Sequence, residues 1–192
     1  NAGLNRIDMS TRIVKAYQHH PADANSISNN TIRGIDIDGE GVLWVATNEG
    51  LNRFDPETET FTVYTFEDGL PTNVIVSVVA GEGGKVWLAT PSGLSQMVTN
   101  ETINKATFIN YNAEDGLGGE SFVSLVALQS SNGNFYFGGD HGLNEFSRME
   151  ANLTPPRLMM TDLRISNKSI DEVGGELYSA SVLYELNDLT LS

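Results

Sequence analysis

Val42-Leu43-Trp44-Val45-Ala46-Thr47-Asn48-Glu49-Gly50-Leu51-Asn52-Arg53-Phe54-Asp55 decides the reading of this chain, because much of the remaining sequence varies it. Val86-Trp87-Leu88-Ala89-Thr90-Pro91-Ser92-Gly93-Leu94 repeats it, and so does Asn134-Phe135-Tyr136-Phe137-Gly138-Gly139-Asp140-His141-Gly142-Leu143. The chain opens on the second half of the pattern, Gly3-Leu4-Asn5-Arg6-Ile7-Asp8. With the Gly-Leu pair as marker at Gly3, Gly50, Gly93 and Gly142, the period falls in the range of roughly 40 to 50 residues that marks strand-rich repeat architectures.

Each unit resolves into four short runs rich in β-branched and aromatic residues, bounded by Gly, Asp, Asn and Pro clusters. In the best-preserved unit they are 31–38, 42–47, 51–54 and 61–64; the next has 73–79, 86–90, 94–97 and 107–111. A last set, 121–128, 135–138 and 143–146, stops after three. Such runs predict four-stranded antiparallel meanders, the blades of a β-propeller. Asp38-Gly39-Glu40-Gly41, Gly81-Glu82-Gly83-Gly84 and Ser131-Asn132-Gly133 supply the positive φ angles of tight hairpins. The Gly-Leu glycine precedes each third strand, where a close backbone approach is expected. Trp44, Trp87 and Tyr136 hold equivalent positions, and each is expected to pack between neighbouring units, since one small sheet cannot bury its own faces.

The chain has 192 residues, room for one good core or two small ones. Its 25 acidic and 11 basic residues give a net charge of -14, so phosphate backbones are repelled and nucleic acid is not the expected partner. The lack of cysteine excludes disulfides, thiolate metal sites and cysteine nucleophiles. No apolar run approaches the roughly 18 to 20 residues of a bilayer helix. The start, midway through a repeat and without Met, reads as a piece of a longer protein.

Leu-Trp-Val-Ala-Thr at 43–47, Gly-Leu-Asn-Arg-Phe-Asp-Pro at 50–56, Phe-Thr-Val-Tyr at 61–64 and Glu-Asp-Gly-Leu-Pro-Thr-Asn at 67–73 together resemble the two-component regulator propeller repeat. The resemblance covers Asn1 to about Ala151. It implies the extracytoplasmic, periplasmic sensor region of a bacterial hybrid histidine kinase or membrane-bound diguanylate cyclase. The Phe-Tyr-Phe-Gly-Gly unit resembles a final blade, placing the propeller's end near Arg148. Beyond Pro155-Pro156 the sequence resembles the start of the Tyr-rich β-sandwich that links such propellers to the membrane. The expected organisation is therefore all-β: residues 1–151 as about three and a half blades of a partial propeller, and 152–192 as the first strands of an incomplete sandwich. The resemblance further implies a small-molecule ligand, a carbohydrate or other nutrient, a homodimeric parent receptor, no cofactor, and membrane attachment only through a transmembrane helix outside this sequence.

In a meander the turns alternate between two ends, so the loops joining strands two and three share a face with the segments between repeats. That face carries Asn48-Glu49, Pro91-Ser92 and Asp140-His141, beside 19–30, 67–73 and 112–120. Binding residues tend to sit on loops held by a rigid scaffold, which makes Asn48, Glu49, Ser92, Asp140 and His141 the candidate ligand residues. The competing reading of each is a solvated turn. Asp36, Asp38 and Glu40 lack the further ligands of a calcium loop and read as a hairpin turn. His19-His20 with Asp23 makes a poor zinc chelate, because adjacent strand residues point to opposite faces. No metal site is expected.

Catalytic motifs are missing. There is no Gly-x-Ser-x-Gly elbow, no phosphate-cradling glycine loop, and only three histidines to serve as a near-neutral base. The runs expected to line a central channel carry none of them. A non-catalytic sensor module is the leading reading; a propeller lyase or hydrolase and a structural or adhesive propeller are the alternatives. An incomplete ring predicts exposed sheet faces at its ends and association in isolation.

Overall fold

The computed structural model describes residues 3–81, 85–100, 105–119 and 121–146, with the pairs 164–165 and 168–169. The chain divides into two compact units, Asn1–Met149 and Glu150–Ser192. In the second, the described residues form β14 (Arg164–Ile165) paired antiparallel with β15 (Lys168–Ser169). The 82–84 turn, the Pro155-Pro156 boundary and most of the expected sandwich lie outside the described residues.

The first unit is a run of antiparallel meanders, successive blades of a propeller. β1 (Leu4–Ile7) and β2 (Val14–Tyr17) form a two-stranded sheet. The next blade has β3 (Ile32–Ile37), β4 (Leu43–Thr47), β5 (Gly50–Asp55) and β6 (Thr60–Tyr64), hydrogen-bonded in chain order. The following blade repeats this with β7 (Ser77–Ala80), β8 (Val86–Thr90), β9 (Gly93–Asn100) and β10 (Lys105–Tyr111). Three strands close the series, β11 (Phe122–Gln129), β12 (Phe135–Gly139) and β13 (Gly142–Phe146). The second strands are buried on both sides, Leu-Trp-Val-Ala-Thr and Val-Trp-Leu-Ala-Thr, because neighbouring blades cover both faces.

Most of the core lies between sheets. Trp44, Ala46 and Leu51 of one blade meet Leu70, Ile75, Val78, Val86, Leu88 and Met97, which lead into or form the next. Val79, Trp87, Ala89 and Leu94 meet Phe122, Phe135 and Phe137 in the same way. Tyr17 of the first strand pair packs with Val45, Phe54 and Phe61. Trp44 and Trp87 thus fill inter-blade interfaces as their sequence positions predict. Tyr136 does not: half-buried, it gives its hydroxyl to the Glu145 carboxylate on its own sheet at 2.7 Å.

The Gly-Leu glycines are conformationally required. Gly3, Gly50 and Gly93 have φ of 96°, 122° and 108°. A Cβ on each would lie 2.3, 2.5 and 2.1 Å from the carbonyl oxygens of Tyr17, Tyr64 and Tyr111, the residues ending the fourth strands. Only glycine permits both the dihedral and the contact.

β7 starts later than the 73–79 run predicts. The Ile75 amide donates to Thr47 O of the preceding blade at 2.9 Å, so this stretch is spent crossing between sheets.

Candidate functional site

The loops joining second to third strands form one repeated turn. Thr47 Oγ1 donates to Gly50 O at 2.9 Å and accepts from the Glu49 amide at 3.1 Å. Thr90 Oγ1 makes the same pair of bonds with Gly93 O and the Ser92 amide, at 2.9 and 3.1 Å. The buried threonine hydroxyl closes the turn and leaves the side chains of Glu49 and Ser92 exposed. Asn48 is half-buried, its Oδ1 accepting from Arg33 Nε at 2.8 Å. The last blade has Gly139 in place of threonine; there His141 Nδ1 lies 3.0 Å from Asp140 Oδ1, both side chains in solvent.

Each candidate residue therefore lies in its predicted turn, at the same end of its own blade. Among the described residues no hydrogen bond or ion pair joins one of these loops to another. Contacts run instead to the segments that cross between blades: a Cβ on Gly119 would sit 2.9 Å from His141 Nδ1.

Those crossing segments are more rigid than a reading as open loops suggests. Thr65-Phe66-Glu67-Asp68-Gly69 and Asn112-Ala113-Glu114-Asp115-Gly116 form matching 3-10 turns with reciprocal capping boxes. The Asp68 and Asp115 carboxylates accept from the Thr65 and Asn112 amides at 2.8 and 2.9 Å. Gly69 and Gly116 end the turns at φ of 109° and 97°. The aspartate of each Glu-Asp-Gly-Leu thus caps a turn rather than standing as a free carboxylate. His19, the metal candidate, turns Nδ1 to Ile27 O at 2.9 Å, and His20 is exposed. Asp38 points inward to Trp44, and the Asp36 carboxylate accepts from the Ala80 amide of the next blade at 2.8 Å.

A concave site that loop reasoning missed lies between the last two blades. It is a cleft of about 160 Å³ with Trp87, Tyr111 and Phe146 on its walls and Asp115, Asn144 and Glu145 among its polar groups. Burial pushes the Tyr111 phenol up from its ordinary value, and the nearby Asp115 carboxylate adds to the shift. Glu145 is held below the usual carboxylate range by the hydrogen bonds from Tyr136 and then Asn134. The missing signal was available in the repeat alignment: the earlier blades place Phe61 and Phe108 in their fourth strands, whereas the described part of the last sheet has three strands, β11, β12 and β13.

Residues 26–49 match the family model described as "Two component regulator propeller". The chain is 34% identical over 226 residues to Histidine kinase P4 of Formosa agariphila, an alignment covering 91% of this chain and 16% of that protein. Among solved structures it is similar to the extracellular domain of a B. thetaiotaomicron protein titled a hybrid two component system, at 26% identity and TM-score 0.65, covering 79% of this chain and 20% of that one. A second such extracellular domain from B. thetaiotaomicron, at 20% identity and TM-score 0.59 over 76% of this chain and 20% of that one, shares the fold. The chain thus spans about a fifth or less of the length of these relatives.

Proposed function

We propose, from the premise that this chain carries two-component regulator propeller repeats, that it is the ligand-sensing part of a periplasmic receptor region whose parent transmits to an intracellular kinase or cyclase. The observation that carries this reading is the similarity to a hybrid two-component system's extracellular domain together with the 91% coverage by a histidine kinase. The solved relatives are extracellular domains of two-component systems, and in this reading the chain itself contributes binding rather than catalysis.

The ligand is a carbohydrate or other small nutrient, held on the loop face by Asn48, Glu49, Ser92, Asp140 and His141. Supporting this are the buried threonine hydroxyls, which fix two of the three turns and present exposed polar groups from a rigid base. The signal is a change in packing within the receptor or between its two copies, driven by the ligand's differential affinity for two arrangements. Moving a two-state equilibrium from 1:99 to 99:1 requires about 5.5 kcal/mol of that difference.

The test is a thermal-shift and calorimetric screen of mono- and oligosaccharides against the receptor's complete extracellular part. A ligand at 100 times its Kd stabilises the folded form by about 2.7 kcal/mol. Glu49→Ala, Ser92→Ala and Asp140→Ala are expected to weaken binding without lowering the unliganded Tm. A ligand that binds all three variants as tightly as wild type sinks the loop-face assignment. Turnover of the bound sugar would make the propeller an enzyme.

A further inference from the structure

The first strands of the three successive blades gather together: β3 lies against both β7 and β11, and β7 against β11. Their sequences are Ile-Arg-Gly-Ile-Asp-Ile, Ser-Val-Val-Ala and Phe-Val-Ser-Leu-Val-Ala-Leu-Gln, in which Arg33 is the only cation. Arg33 also sits where the ladder is irregular. Ile32 pairs with Thr47 and Gly34 with Ala46, so β3 takes two steps where β4 takes one, and Arg33 is the extra residue of a β-bulge. A bulge re-aims a side chain. This one lies at the loop-face end of β3, and the guanidinium it carries reaches Asn48, Nε donating to Oδ1 at 2.8 Å.

The scaffold does not ask for an arginine there. Gly34 and Ser77 hold equivalent places opposite Ala46 and Ala89, and the residue before Ser77 is Val76, 8% exposed within the next inter-blade core. Arg33 is instead half-buried and keeps most of its donors unspent. Among the described residues the bond to Asn48 is the guanidinium's one hydrogen bond and no carboxylate pairs with it, in a chain of 25 acidic and 11 basic residues. With Nε engaged, both Nη groups remain to donate, and with Asn48 Oδ1 engaged, its Nδ2 remains to donate as well. The pair offers N–H donors and one positive charge. A neutral sugar brings hydroxyls that need acceptors as much as donors, whereas an oxyanion brings acceptors alone and meets a guanidinium through two parallel bonds.

We infer that Arg33, with Asn48, receives an oxyanion of the ligand, the carboxylate or sulfate of an acidic sugar. The inference rests on the loop-face reading above and narrows its ligand class. Arg33 sets the specificity, and the exposed carboxylate of Glu49 on the same turn supplies acceptors for the hydroxyls beside the anion.

The test is calorimetric titration of the receptor's complete extracellular part with matched sugars that differ only at C6. The pairs are glucuronate with glucose, galacturonate with galactose and mannuronate with mannose, as mono- and disaccharides, together with the 6-sulfates of the neutral three. An acidic member is expected to bind at least about tenfold more tightly than its neutral partner, as charge-assisted hydrogen bonds allow. Arg33→Gln should erase that difference, and Arg33→Lys should restore only part of it, since the charge returns without the fork. Neutral sugars bound as tightly as acidic ones, and weakened by Glu49→Ala or Ser92→Ala, would sink the oxyanion and leave the loop-face reading standing. An acidic preference that persists in Arg33→Gln overturns the assignment to Arg33. Failure of every sugar in the set to bind defeats both. Because the paired sugars leave the protein untouched, the comparison between them decides the ligand class even if Arg33→Gln disturbs folding.

Discussion

The indole Nε1 of Trp44 donates to Oδ2 of Asp38 at 2.9 Å, and both residues are buried, 3% and 8% exposed. Oδ1 of the same carboxylate accepts from the amides of Glu40 and Val42 at 3.0 and 2.9 Å. One side chain thereby closes the hairpin between the first two strands and orients the tryptophan that joins two blades. Asp38→Ala leaves these donors without their acceptor inside the protein, an expected loss of about 1–3 kcal/mol. Urea unfolding followed by tryptophan fluorescence measures it, and a change under a few tenths of a kcal/mol would show the carboxylate to be dispensable.

Trp87 is 2% exposed and touches Tyr111, Phe135 and Phe146, with ring centroids 4.8 to 5.8 Å apart. Trp87→Ala should cost about 3–5 kcal/mol, as for large aromatic truncations in cores. Tyr136→Phe removes only a hydroxyl bonded to exposed Glu145, and should cost well under 1 kcal/mol despite occupying the equivalent position. Chemical denaturation of the two variants side by side tests the ranking.

Gly93 and Gly142 share the same place in the repeat and nearly the same φ, 108° and 113°. Alanine at either carries the left-handed strain of about 1–2 kcal/mol. At Gly93 the added methyl also meets Tyr111 O at 2.1 Å and a strand must move. Gly93→Ala should therefore lower Tm by several degrees more than Gly142→Ala, and equal losses would mean that the close approach is not what selects glycine.

Asp8 is held to about 2, first by the Ser10 hydroxyl and then by the Thr11 and Ser10 amides, which its Oδ1 accepts at 2.6, 3.0 and 2.8 Å. A carboxylate lowered in the folded state contributes stability above its ordinary value of 3.8 that fades as pH falls toward 2. Asp55 and Glu59 are lowered too, Asp55 chiefly by the Glu57 amide and Glu59 chiefly by Lys15. Acid should thus loosen the β1–β2 and β5–β6 turns. Asp8→Asn should flatten the fall of Tm between pH 4 and 2 relative to wild type; an unchanged acid limb would remove Asp8 from the account.

Leu125 and Leu143 are 74% and 65% exposed on the last blade, and Val14 is 58% exposed on β2. Such faces favour association of the 192-residue chain at high concentration. Sedimentation equilibrium should show it, and Leu143→Glu should reduce it.

The blades were legible in the sequence because their signals are local. Runs rich in β-branched and aromatic residues, turn glycines and a repeated Trp and Gly-Leu place each strand within a few residues, and β4 and β8 fall where the runs predict. The delayed start of β7 was not legible, because it depends on Thr47 O in another sheet. The loop turns were legible as turns, but not the threonine hydroxyls that lock them.

By itself the sequence determined that this is an all-β repeat chain with its hairpins, its glycine positions and its candidate loops in order. Those properties follow from backbone sterics and from the strand and turn preferences of individual residues, which act over a few positions. Only the tertiary structure decided which carboxylates face inward, as Asp38 and Asp36 do, and which bind turns, as Asp68 and Asp115 do. It also decided that equivalent residues meet different fates: Trp87 is buried and Tyr136 half-buried, Gly93 is crowded and Gly142 open. The reason is physical. Burial in a repeat is completed by the neighbouring unit, so the environment of a side chain depends on what is packed against its blade.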